Sequence, residues 1–433
     1  MTSNPRLKSS KKFLELSRKT GLVLMAFCLA GVILVYPGRL LAQESHGLPR
    51  IVLKNKMVKV PFSYENGFIV INVLFQNVLP LRFIIDTGAE YSILTQKEIS
   101  DLLKIPHDRE YNFLGADLQT EIKGFLIRNI DLEIHGVQLL SRDMLVTYDD
   151  YFRINYFTGS PIHGIIGADI LSRFSLSVDF QKKMLTFIDP DHFTPPAGYD
   201  AIPATFIRNK PYLTLSSQIH EKTPAVPLKY LMDTGAALGV LLLTDSHPAI
   251  QLPDQTAHGV LGIGLGGFIM GAKGRIRSIK IGAHELLNIT GNFQDLSSYP
   301  DTSVLQGRKG LIGNLFLDRF DIILDYRRSV LYLKPNRNFE NPFPVDRSGL
   351  FLLASGADLH RVVVQESIPG SPAHLADVRP GDIIRRYNGW PTSLFGLQGL
   401  NKRMRMEPGK KIRLTLRRGR TTVHRRFVLK DYI

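Results

Sequence analysis

The feature that most constrains this chain is a short motif that occurs twice. An apolar run typical of a buried strand ends in Asp-Thr-Gly-Ala at residues 86–89, and another ends in the same four residues at 233–236, 147 positions later. Each copy is followed by a Gly-apolar-apolar-Gly segment, at 164–167 and 310–313. The distance from the aspartate to the last of these glycines is 81 residues in one copy and 80 in the other. Two elements at matching spacing indicate that a whole domain is repeated.

The repeat has a chemical use if the two aspartates meet. Two carboxylates about 3 Å apart cannot both ionise, so they share one proton. Such a pair can act as general base towards a water molecule and as general acid towards a scissile carbonyl group. A glycine beside the threonine removes the Cβ that would keep two loops apart, and the threonine hydroxyl can bridge to the opposite loop. We therefore expect Asp86 and Asp233 to form one site.

These residues resemble the aspartic proteases, and more closely their retropepsin-like branch, over about residues 52–335. The resemblance implies a mainly β fold with two tandem retropepsin-like lobes of the pepsin-type acid protease in one chain. It also implies an aspartic-type endopeptidase that cleaves polypeptide substrates and needs no cofactor. The catalytic pair would be Asp86 and Asp233, and the supporting residues of the active site would be Thr87, Gly88, Thr234 and Gly235.

One departure from the pepsin-like pattern concerns the residue after each glycine. Ala89 and Ala236 stand where pepsin-like enzymes usually carry serine or threonine. Without that hydroxyl, the ionised carboxylate loses a hydrogen bond, which raises the pKa of the pair. We expect a mildly acidic pH optimum.

A different signature follows the repeat. Residues 370–389 closely resemble the bacterial PDZ signature, with Ser-Pro-Ala starting a short helix and Pro-Gly-Asp and Asn-Gly forming turns. The resemblance implies that the domain captures a peptide C-terminus by strand addition, with backbone amides holding the carboxylate. Gly349 and Leu350 match the Gly-Leu loop of the family, and Trp390 is expected to pack against the domain.

Two segments rich in proline, asparagine and glycine divide the chain, at 189–198 and 335–344. They predict a protease lobe at 48–190, a second lobe at 199–337 and a PDZ domain at 346–433. Within the first lobe, residues 92–103 are predicted to form a short helix. Residues 112–127 are predicted to form a flap hairpin over the cleft.

Residues 262–267 satisfy the Gly-x-Gly-x-x-Gly pattern of dinucleotide sites. The context does not fit, because residues 274–281 alternate as a strand and do not open a helix. In the alignment of the two repeats, these glycines occupy the place of the first flap tip. We interpret them as the tip of a second, mobile flap.

The amino terminus predicts export. Residues 1–20 carry six basic residues and one acid, and residues 21–36 carry no charge. Residues 1–42 are therefore a signal peptide or an uncleaved signal anchor, with the remainder in the bacterial periplasm or anchored in the inner membrane facing it.

The formal charge of +15 is concentrated in the first 20 and last 35 residues. A basic surface of this kind can bind nucleic acid, an anionic membrane or an acidic partner, but a solvated strand surface is the preferred interpretation and no nucleic acid is expected. The 12 histidines lack a paired ligand spacing, so no metal is expected. The single Cys28 lies in the apolar run, so the mature part has no disulfide.

Two alternatives to a single-chain protease stay open. The lobes could bind peptides without cutting them, as a non-catalytic envelope protein with the PDZ domain as adaptor. Each lobe could also pair with its counterpart in a second chain, although a monomer is expected. The sequence leaves undecided whether the PDZ domain recruits substrates or regulates access.

Overall fold

The structure is a computed structural model that describes residues 50–115, 120–149, 151, 153–264, 267–296 and 303–433. Residues 45–433 form one compact unit. The predicted signal peptide or anchor at 1–42 lies outside the described residues. Among the residues that are described, no helix combines the length and the apolar composition that a membrane span requires.

The described residues between 50 and 188 form twelve strands and three short α-helices. The strands are β1 Arg50–Leu53, β2 Met57–Pro61, β3 Ser63–Glu65, β4 Phe68–Phe75, β5 Leu79–Ile85, β6 Ile93–Leu94, β7 His107–Leu114, β8 Glu121–Ile134, β9 Val137–Thr147, β10 Gly164–Ile166, β11 Ser175–Asp179 and β12 Met184–Ile188. The helices are α1 Lys97–Leu102, α2 Ile154–Thr158 and α3 Ala168–Leu171.

The second half repeats this arrangement. Its strands are β13 Asp200–Pro203, β14 Thr205–Ile207, β15 Lys210–Gln218, β16 Val226–Met232, β17 Val240–Leu243, β18 Ala257–Gly264, β19 Gly267–Ile281, β20 His284–Gln294, β21 Gly310–Ile312, β22 Phe320–Asp325 and β23 Val330–Pro335, and its helix is α4 Asn314–Leu317.

Three sheets organise the two halves. The first lobe has the strand order β1-β9-β6-β10-β5-β4-β8-β7, with β3 on β4, and the second has β14-β15-β16-β21-β17-β20-β19-β18. A six-stranded sheet, β13-β23-β22-β11-β12-β2, takes strands from both lobes. The lobes are therefore joined by main-chain pairing as well as by the linker, and the predicted boundaries at 48–190 and 199–337 remain a prediction.

The two lobes share the same central pairing. β10 runs parallel to β5, and β21 runs parallel to β16. Phe83 and Tyr230 each lie three residues before an active-loop aspartate, and both are fully buried. Burial of such a side chain stabilises a fold by about 1.5–3 kcal/mol. Gly164 is required beside this core because a methyl group there would overlap the Phe83 ring.

The C-terminal domain is a separate sheet with two helices. Its strands are β24 Leu350–Ser355, β25 Arg361–Ser367, β26 Ile383–Tyr387, β27 Trp390–Pro391, β28 Lys411–Arg418 and β29 Thr421–Val428, in the order β24-β25-β26-β28-β29 with β27 on β26. Its helices are α5 Pro372–Leu375 and α6 Gly396–Met404. The prediction of a mainly β fold with two tandem β lobes and a further C-terminal domain is confirmed.

Some local predictions need correction. The predicted helix at 92–103 begins only at Lys97, because Ile93 and Leu94 are buried in a strand between β10 and β9. Trp390 is 63% exposed instead of packed against the domain, because it lies on a two-residue strand that pairs only with β26. The two hairpins predicted as flaps are present, as β7–β8 and β18–β19, and their role as flaps stays a prediction. Tip residues 116–119 and 265–266 lie outside the described part of the chain.

Candidate active site

Each Asp-Thr-Gly loop begins where a central strand of its lobe ends. The Asp86 amide donates a hydrogen bond to the Ile166 carbonyl on the neighbouring parallel strand at 3.0 Å. In the second lobe, the Asp233 amide donates to the Ile312 carbonyl at 2.9 Å. Because the pairing is the same in both lobes, the two aspartates occupy equivalent positions on opposite sides of the lobe interface.

The two threonines lock these loops together. The Thr87 hydroxyl donates to the Met232 carbonyl at 2.7 Å, and the Thr234 hydroxyl donates to the Ile85 carbonyl at 2.8 Å. Each hydroxyl also accepts from the opposite threonine amide, at 3.0 and 3.1 Å. Both side chains are buried, and buried networks of this kind are strong because every polar group has a partner. The four bonds fix the position of one loop relative to the other.

The two glycines allow the carboxyl groups to approach. A methyl group on Gly88 would lie 2.6 Å from the Asp233 Cγ, and one on Gly235 would overlap the Asp86 carboxyl group. Neither glycine has the positive φ that would by itself require glycine. Their role is therefore to leave space, and each carboxyl group lies against the glycine of the opposite loop.

Main-chain amides hold the carboxylates in place. The Oδ1 atom of Asp86 accepts from the amides of Gly88 and Ala89, at 2.8 and 2.9 Å. The Oδ1 atom of Asp233 accepts from the Gly235 amide at 2.8 Å. These amides bond to the charged form of each carboxyl group.

The electrostatics of the pair favour one shared proton. Burial raises the pKa of Asp86 well above its ordinary value, and the charge of Asp233 raises it further. Burial also raises the pKa of Asp233, but the positive charges of Arg308 and Lys210 oppose this rise. Two carboxyl groups this close titrate as a pair. The two cations favour the charged form of Asp233.

Sequence reasoning missed three residues at this site. Besides Arg308 and Lys210, the buried Asn314 donates from Nδ2 to the Gly67 carbonyl at 2.7 Å and to the Thr234 carbonyl at 2.6 Å. It thus holds a hairpin of the first lobe against the active loop of the second. Comparing the two repeats position by position could have found it, because alanine occupies its place in the first lobe.

A segment of the first lobe covers the edge strand of the C-terminal sheet. Gly159 directly follows α2. A methyl group added to it would lie 3.2 Å from the Leu397 Cβ on α6 and 3.9 Å from the Ala354 Cβ on β24. The ring of Phe157 lies 5.9 Å from that of Phe351 at the start of β24. The end of α2 therefore lies between α6 and β24, next to the edge at which strand addition would occur.

The predicted carboxylate-binding loop already has internal acceptors. The Gly349 amide donates to the Asp346 Oδ1 at 2.6 Å, and the Leu350 amide donates to the Ser348 hydroxyl at 3.2 Å. Gly349 has a φ of +76°, a conformation that favours glycine. The peptide-binding role of Gly349 and Leu350 stays a prediction.

The C-terminal domain also contacts the flap of the second lobe. The Val260 amide on β18 donates to the Glu366 Oε2 on β25 at 2.7 Å. The ring of Phe268 on β19 lies 6.1 Å from that of Phe351. Phe351 thus contacts the first lobe through Phe157 and the second through Phe268. One aromatic ring of the C-terminal domain therefore contacts both lobes.

The described part of the chain contains no cluster of side chains that could bind a metal ion. Within residues 50–433, apart from the gaps given above, no three or more histidine, cysteine, aspartate or glutamate residues come together as a metal site would require. The described site consists of carboxyl groups, hydroxyls, amides and the two cations.

Comparison with known proteins identifies the C-terminal domain. Residues 363–418 match the family model described as PDZ domain, and they fall within the predicted range 346–433. The PDZ prediction is therefore confirmed. No curated protein matches the chain. Among solved structures, the aspartic proteinase from Irpex lacteus is similar at 13% identity and a TM-score of 0.41, over 66% of this chain and 99% of that chain.

The steric role of the glycines can be tested by stability. We expect Gly88→Ala and Gly235→Ala each to lower the free energy of unfolding by about 1–3 kcal/mol, because the added methyl group forces the active loops apart. Denaturant unfolding would measure the change. Gly262→Ala is the matched control, since a methyl group there meets no atom within 4 Å. Equal effects at all three positions would contradict the steric account.

The raised pKa of Asp86 predicts how stability depends on pH. A carboxyl group whose pKa is raised by folding stabilises the fold fully below its unfolded value, about 3.9, and this contribution is lost as pH rises through the folded pKa. The amide side chain of the Asp86→Asn variant has no proton to lose. We expect this variant to have a higher Tm than the parent at pH 7, by a margin that shrinks toward pH 4. The exposed Asp254→Asn serves as control, and a margin that grows toward pH 4 would refute the prediction.

Proposed function

We propose that this chain is an aspartic endopeptidase that cleaves polypeptides with one carboxyl pair shared between its lobes. The observation that carries the proposal is the interlocked pair of Asp-Thr-Gly loops, in which each threonine bonds across the interface and each glycine leaves space for the opposite aspartate. A scaffold that only bound peptides would not need two half-buried carboxyl groups facing each other, because like charges at this distance are unfavourable.

The geometry supports a definite division of roles. The ionised carboxylate, biased toward Asp233, takes a proton from a water molecule held between the pair. The protonated carboxyl group, biased toward Asp86, donates its proton to the scissile carbonyl oxygen. The water oxygen bonds to the carbonyl carbon and gives a diol. The C–N bond then breaks as Asp233 passes its proton to the leaving nitrogen and one diol hydroxyl returns a proton to Asp86, which leaves a carboxylic acid, an amine and the starting pair. No cofactor takes part in this scheme.

Cleavage by the full-length chain tests this function. We expect the parent to cut a peptide library with a mildly acidic optimum, and Asp86→Asn and Asp233→Asn each to reduce kcat/KM by at least about 10³-fold. Both variants should remain folded by circular dichroism. A parent that cuts nothing between pH 3 and 8 would support the non-catalytic peptide-binding alternative. An active species found only as a dimer in sedimentation would contradict the monomer.

We also propose that the PDZ domain regulates the cleft and does not simply recruit substrates. The end of α2 lies against the edge strand at which a peptide would add, and Phe351 contacts residues of both lobes. A C-terminal peptide that pairs with β24 must displace α2. Because Phe157 of α2 also packs on Phe68 of the first lobe at 5.7 Å, its displacement changes the wall of the cleft.

A peptide with a free C-terminus but no cleavable bond separates these roles. We expect it to change kcat/KM for a short amidated reporter substrate by about threefold or more, because it acts through α2 and not on the reporter. If the PDZ domain only recruits substrates, the rate of reporter cleavage stays constant, and the peptide inhibits only the cleavage of substrates that have free C-termini. An amidated copy of the peptide is the control, because it lacks the terminal carboxylate.

Export remains a proposal that rests on the sequence of residues 1–42. We propose that residues 48–433 face the bacterial periplasm, either released or anchored through this segment. In that compartment the substrates would be envelope or imported polypeptides.

A further inference from the structure

The two lobes differ in charge at two equivalent positions near the two aspartates. The register identifies the first position, because Val70 pairs with Ile84 in lobe 1 as Tyr212 pairs with Leu231 in lobe 2. Two residues earlier stand Phe68 in the first lobe and Lys210 in the second.

A main-chain hydrogen bond identifies the second position. The His163 amide donates to the Arg82 carbonyl at 2.8 Å, and the Lys309 amide donates to the Lys229 carbonyl at 2.7 Å. The donor of each bond is the residue directly before β10 or β21, so the two donors are equivalent. The preceding residue is Ile162 in the first lobe and Arg308 in the second.

In the first lobe these positions are apolar. Phe68 and Ile162 are buried in one cluster with Ile84 and Ile165, and Ala89 of the active loop packs against it. The cluster therefore forms an apolar wall directly beside Asp86. By the internal symmetry, the same wall beside Asp233 carries the side chains of Lys210 and Arg308.

These two cations lack matching carboxylates. Both are partly buried, and burial lowers the pKa of each. Among the described residues, neither side chain forms a hydrogen bond or an ion pair. The nearby acids are Asp233, which belongs to the catalytic pair, and Glu90, which is 3.4 Å from Arg208. Since partly buried cations are unfavourable without a partner, an incoming carboxylate would be stabilised here.

We propose that Lys210 and Arg308 form a subsite for an aspartate or glutamate side chain of the substrate, next to the scissile bond on the side of the second lobe. This inference rests on the proposed peptidase function. The cations also screen the substrate carboxylate from the negative charge of Asp233, which would otherwise repel it. The apolar wall of the first lobe favours an apolar side chain on the other side of the bond.

A free C-terminal carboxylate presents the same chemistry as an acidic side chain. If it were the ligand, the enzyme would remove a few residues from chain ends instead of cutting within a chain. Amidated peptides separate the two sources, because they retain side-chain carboxylates and lack the terminal one.

The test uses the full-length chain and amidated peptides in matched pairs, Asp against Asn and Glu against Gln, at each position around the cleaved bond. We expect the parent to prefer the acid by about tenfold or more in kcat/KM at one position, as for a charge-assisted hydrogen bond. Arg308→Met and Lys210→Met should bring this ratio close to one, and Arg308→Glu should favour lysine there.

A matched control and a second readout separate the subsite from a general loss of structure. Arg277→Met removes an exposed arginine of the same lobe and should leave the ratio unchanged. Arg308→Met should also move the acid limb of the pH profile to higher pH, because Asp233 loses the cation that lowers its pKa. A parent without acid preference, or variants that keep it, would overturn the subsite.

The outcome also distinguishes this inference from the proposed function. If the parent cuts peptides but shows no acid preference, only the subsite is wrong. If the parent cuts the same peptides only when their C-terminus is a free carboxylate, the terminal carboxylate is the ligand and the side-chain proposal is wrong. If nothing is cut, the peptidase proposal fails, and fluorescence polarisation of labelled amidated peptides decides the subsite. Tighter binding of the acidic peptide that disappears in Arg308→Met supports it, and equal binding refutes it.

Discussion

The structure depends on the reciprocal hydrogen bonds between Thr87 and Thr234. Each hydroxyl is buried, donates to a carbonyl of the other lobe and accepts the amide of the other threonine. Because all four groups have partners only when both lobes are in place, this contact sets the distance between the lobes. The position of the carboxyl pair follows from it, since each aspartate directly precedes one of these threonines.

The internal symmetry is close in the backbone and broken in the side chains. Parallel pairing before each active loop is the same in both lobes, which brings the carboxyl groups together. Lys210 and Arg308 nevertheless replace an aromatic and an aliphatic residue of the first lobe. The two-fold backbone thus carries apolar side chains beside Asp86 and two cations beside Asp233, and these cations oppose the rise in the pKa of Asp233 that burial causes.

The PDZ domain adds a third contact to this arrangement. Its edge strand and α6 enclose the end of α2, and Phe351 contacts both lobes. Peptide binding by strand addition needs that same edge. The end of α2 therefore lies where an added strand would pair, and the Gly349 and Leu350 amides already have acceptors within the domain.

The sequence by itself determined the repeat, the apolar strand that precedes each aspartate and the PDZ signature, because these depend on local spacing and on runs of apolar residues. It also indicated why Gly88 and Gly235 must be glycine. Only the tertiary structure decided which residues lie beside the pair, because Arg308 is 75 residues from Asp233 in the chain and reaches it only through the pairing of β16 with β21. The same holds for α2 and β24, whose contact depends on how separate domains pack. Strand Ile93–Leu94 was missed because its two residues are too few to show a period.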